Sequence, residues 1–253
     1  MKKTILITID GMRPDGFLAC GNPFSGELMR RGSYTLHGTT VFPTKTLPCH
    51  RALFQSAPPS RLGELADNDQ PKFPGLIDLA HAAGRSTAMF YGWEPLRAIA
   101  KPKSLTVSEY LWAYATDPSD AYLTDRALEC IRRFDPDFLF LYLVETDEKG
   151  GHDHGWMTGE YLARISAALN QVRRVLDEVG QTHSILLTAD HGGHDRTHGK
   201  DIPEDRTIPM FGIGDEFLPG REWQSASILD LAPTAASLLE LTPPPEWEGK
   251  VLF

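Results

Sequence analysis

Three short apolar runs in this chain end within a few residues of an aspartate. Ile5-Leu6-Ile7-Thr8-Ile9 stops at Asp10, Phe138-Leu139-Phe140-Leu141 leads to Asp147, and Ile185-Leu186-Leu187 leads to Asp190. Short apolar runs alternating with amphipathic segments point to βα units around a largely parallel sheet. In such a sheet the strand carboxyl ends converge on one crevice, so the three aspartates would meet there. Carboxylates gathered this way repel one another unless cations neutralise them. Histidines accompany them: His152 and His154 after Asp147, and His191, His194 and His198 after Asp190. Imidazole among carboxylates favours zinc or manganese over magnesium.

The pattern predicts strands at 3–9, 86–91, 137–144 and 184–189. A short helix is expected over 26–31, capped by Ser25 and stopped by Gly32. Pro74 would open another, with Leu76, Leu79, Ala80 and Ala83 on one face. Leu123, Ala127, Leu128, Ile131 and Phe134 stripe a third, closed by Asp135-Pro136. The longest follows Thr158, where Leu162, Ile165, Leu169, Val172 and Leu176 recur every three or four residues until Gly180. A last helix starts near Pro233 and carries Ala235, Leu238 and Leu239. The segment 92–118, rich in Trp, Tyr, Pro and Lys, reads as a loop or small cap over the site.

At 253 residues, 41% of them hydrophobic, the chain has material for a large core in one domain. A formal charge of −9 argues against duplex nucleic acid and anionic membranes as partners. Cys20, Cys49 and Cys130 suggest no disulfide framework. The opening Met-Lys-Lys and its apolar run have the outline of a weak signal peptide. The run stops at Asp10 without a small-residue cleavage site, however, and reads as a first strand. A reduced, cytoplasmic protein is the expectation.

One further segment is Val41-Phe42-Pro43-Thr44-Lys45-Thr46-Leu47-Pro48-Cys49-His50. With it, Asp10-Gly11, Thr44-Lys45-Thr46-Leu47-Pro48, Asp147 with Gly151-His152, Asp190-His191-Gly192 and His198-Gly199 follow the order of the alkaline phosphatase superfamily. The Pro-Thr-Lys-Thr-Leu-Pro element is most similar to the type I phosphodiesterase/nucleotide pyrophosphatase branch. The tail from Asp230-Leu231-Ala232-Pro233 to Gly249 resembles the superfamily's closing helix and strand. The resemblance spans nearly the whole chain. It implies an α/β fold: a mostly parallel central sheet with helices on both faces, a single catalytic domain over 1–253, and a small or absent cap within 53–118.

The resemblance also implies two divalent metal ions per chain, zinc with manganese as the alternative. Asp147, His152 and His198 would hold one; Asp10, Thr46, Asp190 and His191 would hold the other. Thr46 would be the nucleophile, and Lys45 and Cys49 would contact substrate. The relatives space the aspartate and the Gly-His one residue closer than Asp147 and His152, so either the loop carries an insertion or Glu148 replaces Asp147. Cys49 stands where the branch often has asparagine, and a thiol is a poorer donor. His50 reads equally well as structural or catalytic. Tyr91, Trp93, Trp112, Tyr114 and Trp156 offer aromatic surface for a base or aryl group. The expected activity is metal-dependent hydrolysis of phosphodiesters, nucleotide pyrophosphates or related esters of small molecules. A cofactor-independent phosphomutase and a phosphonate hydrolase are the alternatives on the same framework.

Overall fold

Seven strands form one sheet in the order β2-β7-β6-β1-β5-β3-β4. They are β1 (Lys3–Ile9), β2 (Ser33–Thr39), β3 (Thr87–Tyr91), β4 (Val107–Tyr110), β5 (Phe138–Leu143), β6 (His183–Thr188) and β7 (Thr207–Ile213). The computed structural model describes residues 2–63 and 71–253. β7 runs antiparallel to both its neighbours, and the β1, β5, β6, β3 and β4 pairings are parallel. The sheet is therefore mixed and mostly parallel. Strands β5 and β6 are buried at every position and β1 at all but its first, as strands covered on both faces must be.

The helices are α1 (Pro14–Ala19), α2 (Phe24–Arg31), α3 (Thr46–Gln55), α4 (Pro59–Leu62), α5 (Leu76–Ala82), α6 (Ser119–Phe134), α7 (Gly159–Val179), α8 (Pro203–Arg206) and α9 (Leu231–Leu238). Helices α1, α2, α6 and α7 pack together on one side of the sheet; α3, α5 and α9 pack together on the other. The long helix α7 begins where expected: the Thr158 hydroxyl accepts from Tyr161 N, and Gly180 ends it. Its buried stripe of Ile165, Leu169, Val172 and Leu176 removes from water about 1.5–3 kcal/mol of apolar side chain per residue. Among the described residues no helix is long and apolar enough to cross a membrane.

Several local expectations need correction. Ser25 lies inside α2 and caps nothing; its hydroxyl bonds Phe17 O, and Pro23 takes the cap position. In α5 the buried face is Leu76, Ile77 and Ala80, whereas Ala83 is exposed beyond the helix end. Its start is fixed by Asp78, whose carboxylate accepts from Gly75 N at 3.1 Å. Phe134, at the end of the α6 stripe, is exposed. The tail forms no closing strand: Gly249 N, Lys250 N and Leu252 N donate to Ser56 Oγ, Asp230 Oδ1 and Thr234 Oγ1. Within 53–118, the span expected to hold any cap, residues 64–70 lie outside the described residues. The rest supplies α4, α5 and the sheet edge formed by β3 and β4.

Candidate metal centre and active site

The three aspartates meet because β1 lies between β5 and β6. Ile9 pairs with Leu143 and Thr8 with Thr188, so the ends of these strands are level. Asp10 follows β1 directly, Asp190 follows β6 by two residues, and Asp147 opens a π-helical turn (Thr146–His152) after β5. In that turn the hydrogen-bond period is five residues. Asp153 N donates to Glu148 O, for example. Residues five apart thus come to one face, and His152 Nε2 sits 3.2 Å from Asp147 Oδ2. Glu148 points elsewhere, accepting the Tyr114 hydroxyl at 2.5 Å. The wider winding thus aligns residues five apart, and Asp147, not Glu148, stands beside His152.

Asp147, His152 and His198 present ligand atoms within 4.8 Å of one another, and so do Asp10, Asp147 and His191. Asp147 thus faces both groups. Asp190 joins the second group through Oδ2, 3.3 Å from His191 Nε2, itself 3.3 Å from Asp10 Oδ1. Thr46, the first residue of α3, is 9% exposed, and its Oγ1 lies 3.2 Å from His191 Nε2. The rings of His191 and His198 stack at 3.9 Å between centroids. All seven residues expected as ligands are therefore brought together.

A cation fits this donor set on two grounds. Asp10 Oδ1, Asp147 Oδ1 and Asp190 Oδ2 are buried without a hydrogen-bond partner, a costly state that a positive ion would relieve. Each histidine is also held by Nδ1 against a backbone carbonyl: His152 on Arg196, His191 on Gly192 and His198 on Thr44, at 2.8–3.0 Å. With a proton on Nδ1, Nε2 is the nitrogen turned to the carboxylates and the one a cation would take, displacing from His152 the proton it otherwise shares with Asp147.

Charges follow the same logic. Burial pushes Asp10 well above the usual carboxylate range, reinforced by Asp190 and Asp147. Burial, with Asp147 nearby, raises Asp190 to about 7. Burial acts on Asp147 in the same direction, but the His152 hydrogen bond and the three nearby imidazoles outweigh it and hold Asp147 low. The bond to Asp147 lifts His152 to about 9, whereas burial beside His191 lowers His198 to about 4.

An open cleft of about 370 Å³ lies over these groups. Asp10, Thr46, Asp147, His152 and His198 line it, with Lys45, Trp93, Tyr114, Tyr142 and Glu148 among its other walls. Lys45 is thus placed at the cleft, but Cys49 is not. Its thiol is fully buried in α3, pointed at the carbonyls of Val41 and Pro43, and burial pushes its ionisation far up. Of the five aromatics, Trp93 and Tyr114 face the cleft. Tyr91 is buried against Tyr110, and Trp112 is 61% exposed. Trp156 is a buried support: Gly151 and Gly193 flank its ring so closely that a Cβ on either would fall within 2.5 Å of it. Its indole N–H and the Tyr161 hydroxyl both donate to Gly11 O. Gly11 in turn has φ +65° and backs onto Asp147 Oδ1, 2.8 Å from where a Cβ would sit.

His50 has a structural place, with Nδ1 on Thr46 O, Nε2 near Thr8 Oγ1, and burial lowering it to about 3. His154 is exposed, and His194 bonds Asp205. One site residue was not singled out from sequence: Tyr142 in β5, whose hydroxyl donates to Asp10 Oδ2. The signal was available, since a tyrosine inside a fully apolar strand needs a partner for its hydroxyl.

The architecture is alkaline-phosphatase-like, and it superposes on murine ectonucleotide pyrophosphatase/phosphodiesterase 5, solved as an inactive variant in complex with AMP. That match has a TM-score of 0.83 at 16% identity and covers 99% of this chain and 98% of the other. In sequence, the chain is 25% identical over 217 residues to rat ectonucleotide pyrophosphatase/phosphodiesterase family member 1. The alignment takes in 75% of this chain and 24% of the rat protein. It is 26% identical over 178 residues to the 2,3-bisphosphoglycerate-independent phosphoglycerate mutase of Vibrio vulnificus, covering 66% of this chain and 33% of the mutase. The chain thus spans a quarter to a third of the length of these curated relatives. Residues 4–119 match the model of the type I phosphodiesterase/nucleotide pyrophosphatase family. Residues 87–243, more than half of the chain, match the metalloenzyme superfamily, and with these ligands gathered at its strand ends the chain belongs to that superfamily.

Proposed function

We propose that the chain hydrolyses phosphodiesters, nucleotide pyrophosphates or related phosphate esters through a phosphothreonine on Thr46, using two divalent cations, zinc in preference to manganese. The observation that carries this is the position of Thr46. Its hydroxyl stands at the first turn of α3, on the cleft wall and beside both ligand groups. Two backbone N–H groups at that turn, on Thr46 and Leu47, precede the first helical bond of α3, from Cys49 N to Lys45 O, and suit a phosphoryl oxygen.

When bound, the cations would offset the buried carboxylates and supply Lewis acidity toward the phosphoryl group and the threonine hydroxyl. Thr46 Oγ1 gives up its proton to solvent and attacks phosphorus, forming a P–O bond as the bond to the leaving group breaks. The departing oxygen takes a proton from solvent. Water then cleaves the phosphothreonine, and Thr46 recovers its hydroxyl. Lys45 offers one positive charge to the substrate; among the described cleft residues the other charged walls are acidic or imidazole. That balance suits the single charge of a diester better than a monoester dianion. Trp93 and Tyr114 suit a base or aryl group, in keeping with the AMP held by the murine protein. The mutase match supports a phosphomutase as second reading. A cytoplasmic location goes with the proposal and is supported by the free state of all three cysteines.

The test is direct. Purified protein should carry two zinc or manganese ions per chain and cleave bis-nitrophenyl phosphate faster than nitrophenyl phosphate. Thr46→Ala should keep the fold and most of the metal while losing several orders of magnitude in turnover. Thr44→Ala, two residues away, should lose at most a few-fold. Near-normal turnover by Thr46→Ala would exclude the covalent route, and a strong monoester preference would favour the mutase or a phosphatase.

A further inference from the structure

Asp205, in the short helix α8, is fully buried and lies outside every ligand group described above. Both of its carboxylate oxygens are engaged. Oδ1 accepts from His194 Nδ1 at 2.7 Å; Oδ2 accepts from Lys200 N at 2.8 Å and lies 3.5 Å from Thr44 Oγ1, whose proton goes to Lys200 O at 2.9 Å. Its backbone carbonyl accepts from Gly192 N at 2.9 Å. One residue therefore pins three points and borders a fourth, and their distribution is informative. Gly192 and Lys200 bracket the loop that carries His198, and Gly192 adjoins His191. Thr44 lies two residues before Thr46.

Two separate routes lead from Asp205 to His198. The first runs through Lys200, whose N–H donates to Asp205 and whose carbonyl accepts the Thr44 hydroxyl at 2.9 Å; the Thr44 carbonyl then accepts the Nδ1 proton of His198 at 2.8 Å and so leaves His198 Nε2 unprotonated. The second runs through His194, whose backbone exchanges two hydrogen bonds with Thr197 and thereby forms the tight hairpin that delivers His198. A purely structural acid would be expected to tie elements of the core together instead.

We infer that Asp205 is a positioning residue: it sets the mutual placement of His198 and Thr46 without touching metal or substrate. The inference rests on the proposed two-cation site and deepens it. Asparagine at 205 keeps the shape but replaces one accepting oxygen with an N–H₂. Turned to Lys200 N it loses that bond; turned to His194 it forces the other tautomer, with a proton on the buried, unpartnered Nε2.

The experiment compares wild type, Asp205→Asn and His194→Ala, each depleted of metal and titrated with zinc alone against a competing chelator, well below the melting temperature. Loss of an outer hydrogen-bond partner of a metal-binding imidazole weakens metal by about 10–100-fold. Asp205 acts one bond further out, so Asp205→Asn should weaken one of the two sites by about 10-fold, the low end of that range, and His194→Ala by a smaller factor. On bis-nitrophenyl phosphate with saturating zinc, kcat should drop while KM stays near the wild-type value. A folded Asp205→Asn with wild-type zinc affinity and kcat, lower only in melting temperature, would overturn the inference. If Asp205→Asn does not fold, wild-type affinity in His194→Ala would overturn it equally. Wild-type protein that binds zinc but cleaves no diester would refute the proposed activity and leave the affinity comparison to decide this inference. Wild-type protein that binds no zinc would overturn both.

Discussion

Replacing Gly11 by alanine should damage the metal centre from a position that carries no ligand. Gly11 has φ +65°, where an L side chain costs about 1–2 kcal/mol. The new methyl would also lie 2.8 Å from Asp147 Oδ1 and must move to roughly 3.4 Å, a displacement of 0.6 Å by subtraction, for an ordinary contact. Crowding of this kind costs about 1–3 kcal/mol in a packed interior. The sum, about 2–5 kcal/mol, corresponds to a fall in Tm of roughly 5–15 °C for a chain this long. Because Asp147 faces both ligand groups, zinc affinity should also fall, by about 10–100-fold. Gly84→Ala is the control. Its φ is +76° and nothing lies within 4 Å of the added carbon, so it should show the backbone strain alone, about 1–2 kcal/mol, with no change in zinc binding. Melting curves and chelator-competition titrations on both variants decide the matter. Equal shifts in Tm with unchanged zinc affinity would refute the close approach of Gly11 to Asp147.

Asp120 gives a pH test away from the ligands. Burial and the neighbouring Glu145 raise it to about 7, so the folded state holds its proton more tightly than the unfolded chain does. The associated stability is present below about pH 4 and is lost as pH rises through about 7. Asp120→Asn can still accept from Val144 N and Glu145 N, and its Tm relative to wild type should climb between pH 5 and pH 8. A difference that stays flat over that range would rule the mechanism out. Cys49→Ala should cost about 1 kcal/mol of packing and leave KM unchanged, since the thiol does not reach the cleft; a several-fold rise in KM would show that it does. Chelation of the bound metal should lower Tm, and zinc should restore it, because a ligand that binds the folded state stabilises it by linkage. A melt insensitive to chelator would contradict the fit of the orphaned carboxylates to a cation.

The buried half of this molecule was legible because it repeats a simple grammar. β1, β5 and β6 are built around short apolar runs, and each is followed by an acid that the interior would otherwise reject. The strands that escaped notice lack that contrast. β2 is a polar segment whose register shifts between Thr35 and Gly38. β4 is a four-residue edge, half exposed. β7 contains Pro209 and Gly212, which argue against a strand interior when the neighbours are unknown. In the site, residues whose chemistry is their purpose were found, and residues whose role depends on who stands beside them were not. Tyr142 reads as core until Asp10 is seen opposite, and Asp205 reads as a surface acid until donors from Gly192, His194 and Lys200 converge on it. Cys49 failed in the other direction: it lies a turn deeper into α3 than Lys45 and Thr46, and its thiol is buried against the Val41 and Pro43 carbonyls instead of the cleft.

The turn between Asp147 and His152 makes loop length and helical pitch interchangeable. An α-helix advances about 100° per residue, so two groups four apart share a face and two groups five apart diverge by about 140°. Looser winding restores alignment at a separation of five. Removal of a single residue between 148 and 151, with return to α-pitch, would accordingly keep the carboxylate and the imidazole face to face. Removal of two would not. The segment therefore trades one residue of length against pitch: four apart at α-winding or five apart at the looser winding seen here, the carboxylate and the imidazole share a face.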